Sequence, residues 1–342
     1  MKPEVLVFYR YRPTVKPQYQ GKFCWDPYTT VEIDEDGDVM LCGCQFHMPY
    51  VVGNIYNQSL EDIWHGAEAK KVRQSVLDGE FTYCNWACPK LNHLESTPAE
   101  LPLAPDFPSI VKIDLDRSCN LKCPSCRESV IQEKNNDRIE LQKSIFDQIV
   151  NKAKANPSQQ YRIYPIGSGE ILASHSGLSF LKSLAEYPYK NLDILFSSNG
   201  TLLWHHRSIL DPIIDRVAFS VSLDAATKET YAQVRGGDWA ALMQGLEYYQ
   251  GKILHISFVV QQSNWHEIVN IAELAQRLNT RVDYQKLENW GHWNPDWWHQ
   301  NNVMDRKKSD FVQAIDLLRK VRQQYPKSTF AGGLVNLMNK NI

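Results

Sequence analysis

The apolar residues after position 109 fall into short runs that alternate with longer stretches of helical spacing. The short runs are rich in Val, Ile and Leu, which favours strands, whereas apolar residues at every third or fourth position favour helices. Strands are predicted at about 110–116, 160–166, 192–198, 216–223, 252–260 and 281–287. Helices are predicted near 141–154, 176–187, 201–209, 238–250, 264–278 and 306–324. This alternation is typical of an α/β fold with a parallel sheet built from βαβ units.

The first hundred residues have a different pattern. Residues 28–33 and 38–42 are predicted strands, and Asp36-Gly37 between them is a strong hairpin signal because glycine tolerates positive φ. An amphipathic helix is predicted from about 59 to 77. These elements predict a small module over residues 1–93 that precedes the larger α/β part.

A proline-rich stretch separates the two parts. Residues 94–108 contain four prolines in fifteen residues, a composition that suits an extended linker and interrupts helices and strands. We therefore expect a boundary there, with a second domain over 109–342 that ends in a Trp-rich segment and a helix.

Composition excludes several protein classes. The 342 residues are 43% apolar and 22% charged, as in ordinary globular proteins, and the net charge of −2 gives no signal for nucleic acid or anionic membranes. No apolar stretch is long enough to span a bilayer, and residues 1–10 do not resemble a signal peptide. All eight cysteines precede residue 127 in groups, which favours metal ligands in a reducing compartment over disulfides. A cytoplasmic location is expected.

Three cysteines lie in one loop directly after the first strand predicted beyond residue 109. Cys119, Cys123 and Cys126 form a C-x3-C-x2-C pattern. A four-iron cluster with three cysteine ligands leaves one iron free to bind a small molecule. The alternatives are a zinc site, for which no paired C-x2-C unit lies nearby, and a redox-active thiol pair.

Polar residues follow the next predicted strands. Gly167-Ser-Gly-Glu170 follows the second strand, Ser198-Asn-Gly-Thr201 the third, and Ser222-Leu-Asp224 the fourth, with Arg235 a short distance beyond. Each motif alone is common in turns or on surfaces. Together they converge, because the carboxyl ends of parallel strands meet at one edge of the sheet.

The cysteine loop and these strand-end motifs resemble the radical S-adenosylmethionine (SAM) superfamily. The resemblance implies an open (β/α)6 partial TIM barrel with a 4Fe–4S cluster on the three cysteines, whose open iron binds SAM. It further implies SAM contacts from the strand ends and from the residue before the third cysteine: Ser125, Gly169, Glu170, Ser198, Asn199, Ser222, Asp224 and Arg235.

The N-terminal module resembles the SPASM and twitch modules of the same superfamily, which carry auxiliary clusters. The matching features are Cys24, then Gly37 and Cys42, and the closing pair Cys84 and Cys88. The resemblance implies one auxiliary 4Fe–4S cluster on these four cysteines, with Cys44 as a reserve ligand. Structural zinc remains the alternative, because four thiolates suit either metal; a disulfide is the third.

The resemblance implies reductive cleavage of SAM to a 5′-deoxyadenosyl radical, which abstracts hydrogen from a peptide, protein or small-metabolite substrate. The auxiliary cluster would assist oxidation or cross-linking, and a flavodoxin or ferredoxin would donate electrons. Two alternatives remain open: methyl or aminocarboxypropyl transfer from SAM on the same fold, and a non-enzymatic interaction protein holding zinc or a cluster. The Trp- and His-rich segment 289–299 is either a packed lid or a platform facing the substrate.

Overall fold

The computed structural model describes residues 19–85, 88–100, 105–165, 169–187, 190–289, 294–331 and 333–339. Its strands are β1 (Lys22–Phe23), β2 (Thr30–Ile33), β3 (Asp38–Met40), β4 (Gly53–Asn54), β5 (Glu95–Ser96), β6 (Ile110–Ile113), β7 (Tyr161–Tyr164), β8 (Leu192–Ser198), β9 (Val217–Ser222), β10 (Ile253–Val260), β11 (Val282–Lys286) and β12 (Thr329–Phe330). Each strand predicted after residue 109 overlaps one of these, so the alternating pattern located them correctly.

Most strands belong to one sheet, in the order β12-β11-β10-β9-β8-β7-β6-β2-β3-β4. Neighbours from β12 to β2 pair in parallel, whereas β2, β3 and β4 pair antiparallel. The fold is therefore mixed α/β with a mostly parallel sheet, as a radical SAM partial barrel requires. The N-terminal hairpin extends this sheet directly, since Thr30 of β2 lies opposite Ile110 of β6.

The helices are α1 (Asp26–Thr29), α2 (Leu60–His65), α3 (Ala67–Leu77), α4 (Asn136–Ala155), α5 (His175–Leu184), α6 (Arg207–Leu210), α7 (Lys228–Val234), α8 (Trp239–Tyr248), α9 (Ile268–Arg277), α10 (Pro295–Asn301), α11 (Phe311–Gln324) and α12 (Leu334–Asn339). Helices α4 to α9 connect or follow the parallel strands, as βαβ units demand. Within the described ranges, no helix has the length and apolar composition needed to cross a bilayer.

Several predicted elements differ from the structure. The helix predicted over 59–77 divides at Gly66, whose extended backbone (ψ 168°) ends α2 and begins α3. The helix predicted over 201–209 is wrong for its first half: residues 201–206 form turns, and α6 begins at Arg207. Helices α1, α7, α10 and α12 are not among the predicted elements. The linker begins with β5, which pairs antiparallel with β1.

One large apolar core unites the two parts of the chain. It includes Val31 and Trp64 from the N-terminal region and Val111 from β6, and it continues to Met338 near the C-terminus. A second, smaller cluster lies inside the N-terminal region, where Cys24 and Cys84 pack against residues such as Phe23, Phe81 and Cys88. The N-terminal cysteines thus have an apolar environment of their own.

Candidate functional site

The loop that carries Cys119 is held to the end of β6 by buried hydrogen bonds. The Asp116 carboxylate accepts from the Ser118 backbone N–H (3.0 Å), and Gln142 of α4 accepts from the Asp116 N–H (2.9 Å). Cys119 donates its N–H to the Ile131 carbonyl at 2.8 Å, which pins the returning end of the loop. The three cysteines therefore lie on a backbone that is fixed at both ends.

The three thiols differ in exposure, and two guanidinium groups lie beside them. Cys123 is buried, Cys119 is half-buried and Cys126 is exposed, and all are free thiols. Burial raises the pKa of both Cys119 and Cys123. Arg127 Nε donates to Cys126 Sγ at 3.5 Å, and Arg235 Nη1 lies 3.8 Å from Cys123 Sγ. These cations would stabilise the thiolate forms that metal binding requires.

The end of β7 lies against this loop through Glu170. Its N–H donates to the Ser118 carbonyl at 2.7 Å. Its carboxylate is 2% exposed and accepts from the Leu172 N–H (3.2 Å), the Ser198 hydroxyl (3.1 Å to each oxygen) and the Asn199 N–H (2.6 Å). Burial raises the pKa of Glu170 to about 7. This side chain joins the ends of β7 and β8.

Gly169 explains how β7 and the cysteine loop can approach so closely. A Cβ at this position would lie 2.8 Å from the Ser118 carbonyl oxygen and 2.9 Å from that of Asp116. Any larger residue would therefore push the loop away from the strand end. The preceding Gly167 and Ser168 lie outside the described residues.

The turn after β8 binds the same loop through a closed ring of three hydrogen bonds. Asn199 donates to Asn120 Oδ1 at 2.9 Å, Asn120 donates to Thr201 Oγ1 at 3.0 Å, and Thr201 donates to Asn199 Oδ1 at 2.6 Å. Asn120 follows Cys119 directly. Its role was missed from the sequence, although its position inside the cysteine motif was a signal.

The end of β9 reaches the loop through a buried ion pair. Asp224 is 1% exposed, and its carboxylate lies 2.6 Å from Arg235 Nη2 and accepts from the Val259 N–H at 2.7 Å. Burial alone would lower the pKa of Arg235, but the Asp224 carboxylate raises it above its usual range. Asp224 has a positive φ of 55°, a conformation that is uncommon for non-glycine residues and frequent at functional sites.

Ser222 and Ser125 complete the predicted set. Ser222 ends β9 and pairs with Ser257 of β10, so it lies at the same sheet edge. Ser125 lies between Cys123 and Cys126 and is half-buried. Of the Trp- and His-rich segment, predicted as a lid or a platform, residues 290–293 lie outside the described residues, and 295–301 form α10.

The four N-terminal cysteines predicted to act together line a single cavity. Its walls include Cys24, Cys42, Cys84 and Cys88, with apolar side chains around them. Burial raises the pKa of Cys24 to about 11 and also raises the pKa of Cys42 and Cys84. Thiols in such surroundings are inert unless a metal displaces their protons.

Cys44 faces a different environment. The charges that act on its sulfur are those of Glu32 and Lys112, on neighbouring strands β2 and β6. In the lining of the four-cysteine cavity, Lys90 Nζ instead pairs with the Asp26 carboxylate at 2.6 Å.

Both cysteine sets have donor chemistry that fits iron–sulfur clusters. All eight cysteines are free thiols, three in one loop and four around one cavity. Within the described ranges, no three Cys, His, Asp or Glu side chains converge as they would around a single metal ion. A four-iron cluster does not require that spacing, because each cysteine binds a different iron.

Comparison with known proteins identifies two family models along the chain. The model described as the radical SAM superfamily matches residues 115–275. The model of an iron–sulfur cluster-binding domain, SPASM, matches residues 24–89. No curated protein matches the chain.

Solved structures show remote similarity. SuiB from Streptococcus suis, solved bound to S-adenosylmethionine, is 15% identical with a TM-score of 0.45, and the match covers 81% of this chain and 60% of SuiB. A mutant of spore photoproduct lyase is 12% identical with a TM-score of 0.41, and the match covers 69% of this chain and 86% of the lyase. This chain thus spans about 60% of the SuiB length. Its two family models thus identify a radical SAM domain over residues 115–275, preceded by an iron–sulfur cluster-binding domain of the SPASM type over residues 24–89.

Proposed function

We propose that this chain is a radical SAM enzyme whose SAM-binding cluster is held by Cys119, Cys123 and Cys126. One observation carries the proposal: the ends of β7 and β8 bind the cysteine loop directly, through Glu170 and Asn199, and Arg235, which is paired with Asp224 just after β9, reaches Cys123. These cysteines would hold the cluster, which when bound and reduced would supply one electron for cleavage of SAM into methionine and the 5′-deoxyadenosyl radical that takes a substrate hydrogen.

The protein's own residues bind and orient. Arg235, fixed by Asp224, offers a guanidinium to the carboxylate of SAM and to the sulfur of Cys123. Glu170 acts mainly as a positioning residue, because its two oxygens already accept from Leu172, Ser198 and Asn199. Because a carboxylate has about four acceptor positions and three donors occupy Glu170, one position remains for the SAM ammonium.

The barrel and its boundary form a further part of the proposal. Strands β6 to β11 correspond to the six units of a (β/α)6 partial barrel, and β2 to β4 extend its first edge. We place the sequence boundary within residues 94–108, although the hairpin of residues 1–93 shares the barrel's sheet. This shared sheet would hold the two cysteine sets at a fixed separation.

For the N-terminal module we propose one auxiliary 4Fe–4S cluster on Cys24, Cys42, Cys84 and Cys88. The shared cavity supports this set, and the different environment of Cys44 disfavours it as the fourth ligand. Four thiolates leave no open iron, so the role of this cluster is electron transfer during oxidation or cross-linking of the substrate.

The substrate and the electron donor are proposed from the chemistry of the reaction. The substrate is a peptide, protein or small metabolite with an abstractable hydrogen, and a flavodoxin or ferredoxin supplies electrons. A cytoplasmic location suits eight free thiols, since reducing compartments preserve them.

Product analysis tests the proposed reaction. Anaerobically reconstituted protein, reduced with dithionite and given SAM, should release 5′-deoxyadenosine. Release of S-adenosylhomocysteine or methylthioadenosine instead would favour methyl or aminocarboxypropyl transfer. No SAM turnover by iron-loaded protein would favour the interaction protein.

A further inference from the structure

Tyr231 carries a buried hydroxyl that the proposed function does not yet use. The residue lies in α7 and is fully buried. Within the described part of the chain, its hydroxyl oxygen has no hydrogen-bond partner. Folded proteins rarely leave such groups unpaired, because burial removes their hydrogen bonds to water. An unpaired donor therefore indicates that a ligand completes the site.

The hydroxyl lies next to the cysteine loop. A Cβ on Gly237 would be 2.8 Å from the Tyr231 hydroxyl oxygen and 3.1 Å from Leu121, which lies between Cys119 and Cys123. Gly237 thus leaves the room that the Tyr231 hydroxyl occupies beside the loop. The ring of Tyr231 is fixed by Trp239, whose ring centroid lies 5.4 Å away.

The charged groups that act on the Tyr231 hydroxyl belong to the same site. Tyr231 interacts electrostatically with Arg235, Cys123 and Asp224. The Asp224 carboxylate is already bound to Arg235 and to the Val259 N–H. Arg235 Nε is a second buried donor without an acceptor in the described ranges, while Nη1 of the same side chain approaches Cys123 Sγ. Two buried donors without acceptors in those ranges, the Tyr231 hydroxyl and Arg235 Nε, thus belong to side chains close to the cysteine loop.

We propose that Tyr231 is a positioning residue whose hydroxyl donates a hydrogen bond to a sulfur of the cluster at its Cys123-bound edge. This inference rests on the proposed function, because it requires a cluster on Cys119, Cys123 and Cys126. Hydrogen bonds to cluster sulfurs stabilise the more negative reduced state and so raise the reduction potential. Tyr231 would thus make the cluster easier to reduce.

Tyr231→Phe removes only the oxygen, and Tyr248→Phe is a matched control. Tyr248 is 50% exposed and its hydroxyl donates to Asp211, far along the chain from the cysteine loop. Both variants are reconstituted anaerobically and titrated with reductant while EPR spectra are recorded. The signal of interest is the one that SAM perturbs, which separates it from an auxiliary cluster. Spectra in D2O also report couplings to exchangeable deuterons.

The expected result is that Tyr231→Phe keeps the iron content but lowers the midpoint potential and loses one strong deuteron coupling, whereas Tyr248→Phe changes neither. Unchanged potential and coupling in Tyr231→Phe would overturn the proposal. Its apo form should be as stable as the parent, since the hydroxyl has no partner there; marked destabilisation or failure to fold would indicate a structural partner and also overturn it.

A second variant, at Gly237, tests the position of the Tyr231 hydroxyl. Gly237→Ala should displace the hydroxyl and lower the potential, and an unchanged potential would count against the proposal. Failure of the proposed function itself looks different: no SAM-perturbed signal would form even in the parent protein, whatever residue stands at position 231.

Discussion

Asn199 donates a hydrogen bond to Asn120 at 2.9 Å, which joins the turn after β8 to the loop that carries the cysteines. Thr201 closes the ring by accepting from Asn120 and donating to Asn199. The link is lateral, from one strand end to the next. It fixes the cysteine loop over the carboxyl edge of the sheet, where the ligand should bind.

Asn120→Ala should loosen that loop. The change leaves one donor of Asn199 and the acceptor of Thr201 unpaired in a partly buried place, with an expected loss of about 1–3 kcal/mol in unfolding free energy. The cluster should also release iron to a chelator faster than in the parent. Asn57→Ala, at an exposed position, is the control. Equal iron release by both variants would contradict this role.

Glu170→Gln should change how the stability of the apo protein depends on pH. Burial raises the folded-state pKa of Glu170 from 4.5 to about 7. Between these pH values the folded protein keeps the proton that the unfolded chain has lost. The stabilisation of the folded state by this proton is therefore full below pH 4.5 and disappears as pH rises through 7. The stability difference between parent and variant should therefore fall across this window in urea titrations.

The same substitution should also lower stability at every pH. Glutamine places an NH2 group against the donors of Leu172, Ser198 and Asn199, so one buried donor loses its acceptor. Glu186→Gln, at an exposed turn position just after α5, is the control. Parallel profiles of stability against pH for parent and Glu170→Gln would show that protonation of this carboxyl group is not coupled to folding.

Asp224→Asn should be strongly destabilising, although asparagine tolerates the positive φ at this position. Breaking a buried ion pair leaves the Arg235 charge uncompensated and costs about 3–5 kcal/mol. Asp193→Asn removes a half-exposed pair with Arg162 (3.5 Å) and should cost below about 1 kcal/mol. Similar losses for the two variants, measured by denaturant unfolding, would refute the buried pair as a structural element.

Arg235→Ala should weaken SAM binding. Loss of a charge-assisted hydrogen bond costs about 1.5–3 kcal/mol, which corresponds to roughly tenfold to a hundredfold in affinity. Calorimetry with iron-loaded protein measures this directly, and Arg162→Ala is the control. An unchanged dissociation constant would remove Arg235 from the binding site.

Much of the fold was predictable because local patterns determine it. The apolar runs located β6 to β11, and the Asn135 cap and the amphipathic pattern account for α4. The error at 201–206 has a local cause as well. Thr201 and Asn199 use their side chains to bind each other and the cysteine loop, which competes with helix formation.

The lateral contacts could not be predicted. The sequence placed Glu170, Asn199 and Arg235 at strand ends, but which side chains meet depends on strand order and register. The same limit applies to the pairing of β2 with β6, which joins residues about eighty positions apart in the sequence. Tyr231 gave no signal, since an aromatic residue at helical spacing usually belongs to the core.

The N-terminal metal can be identified in a protein that lacks Cys119, Cys123 and Cys126. If Cys24, Cys42, Cys84 and Cys88 hold an auxiliary cluster, this variant should retain iron with a reducible spectrum that SAM does not change. A further Cys88→Ala substitution in this variant should remove that iron, whereas a further Cys44→Ala substitution should leave it in place. Stoichiometric zinc without iron after reconstitution would make the module a structural zinc site.

The measurement that tests the central claim most directly is SAM cleavage by the variant Cys119→Ala/Cys123→Ala/Cys126→Ala. With one cluster in each part of the chain, this variant should lose about half of the reconstituted iron and all production of 5′-deoxyadenosine, while keeping the parent's fold by circular dichroism. Continued release of 5′-deoxyadenosine by this variant would contradict the assignment of the SAM-binding cluster to these three cysteines.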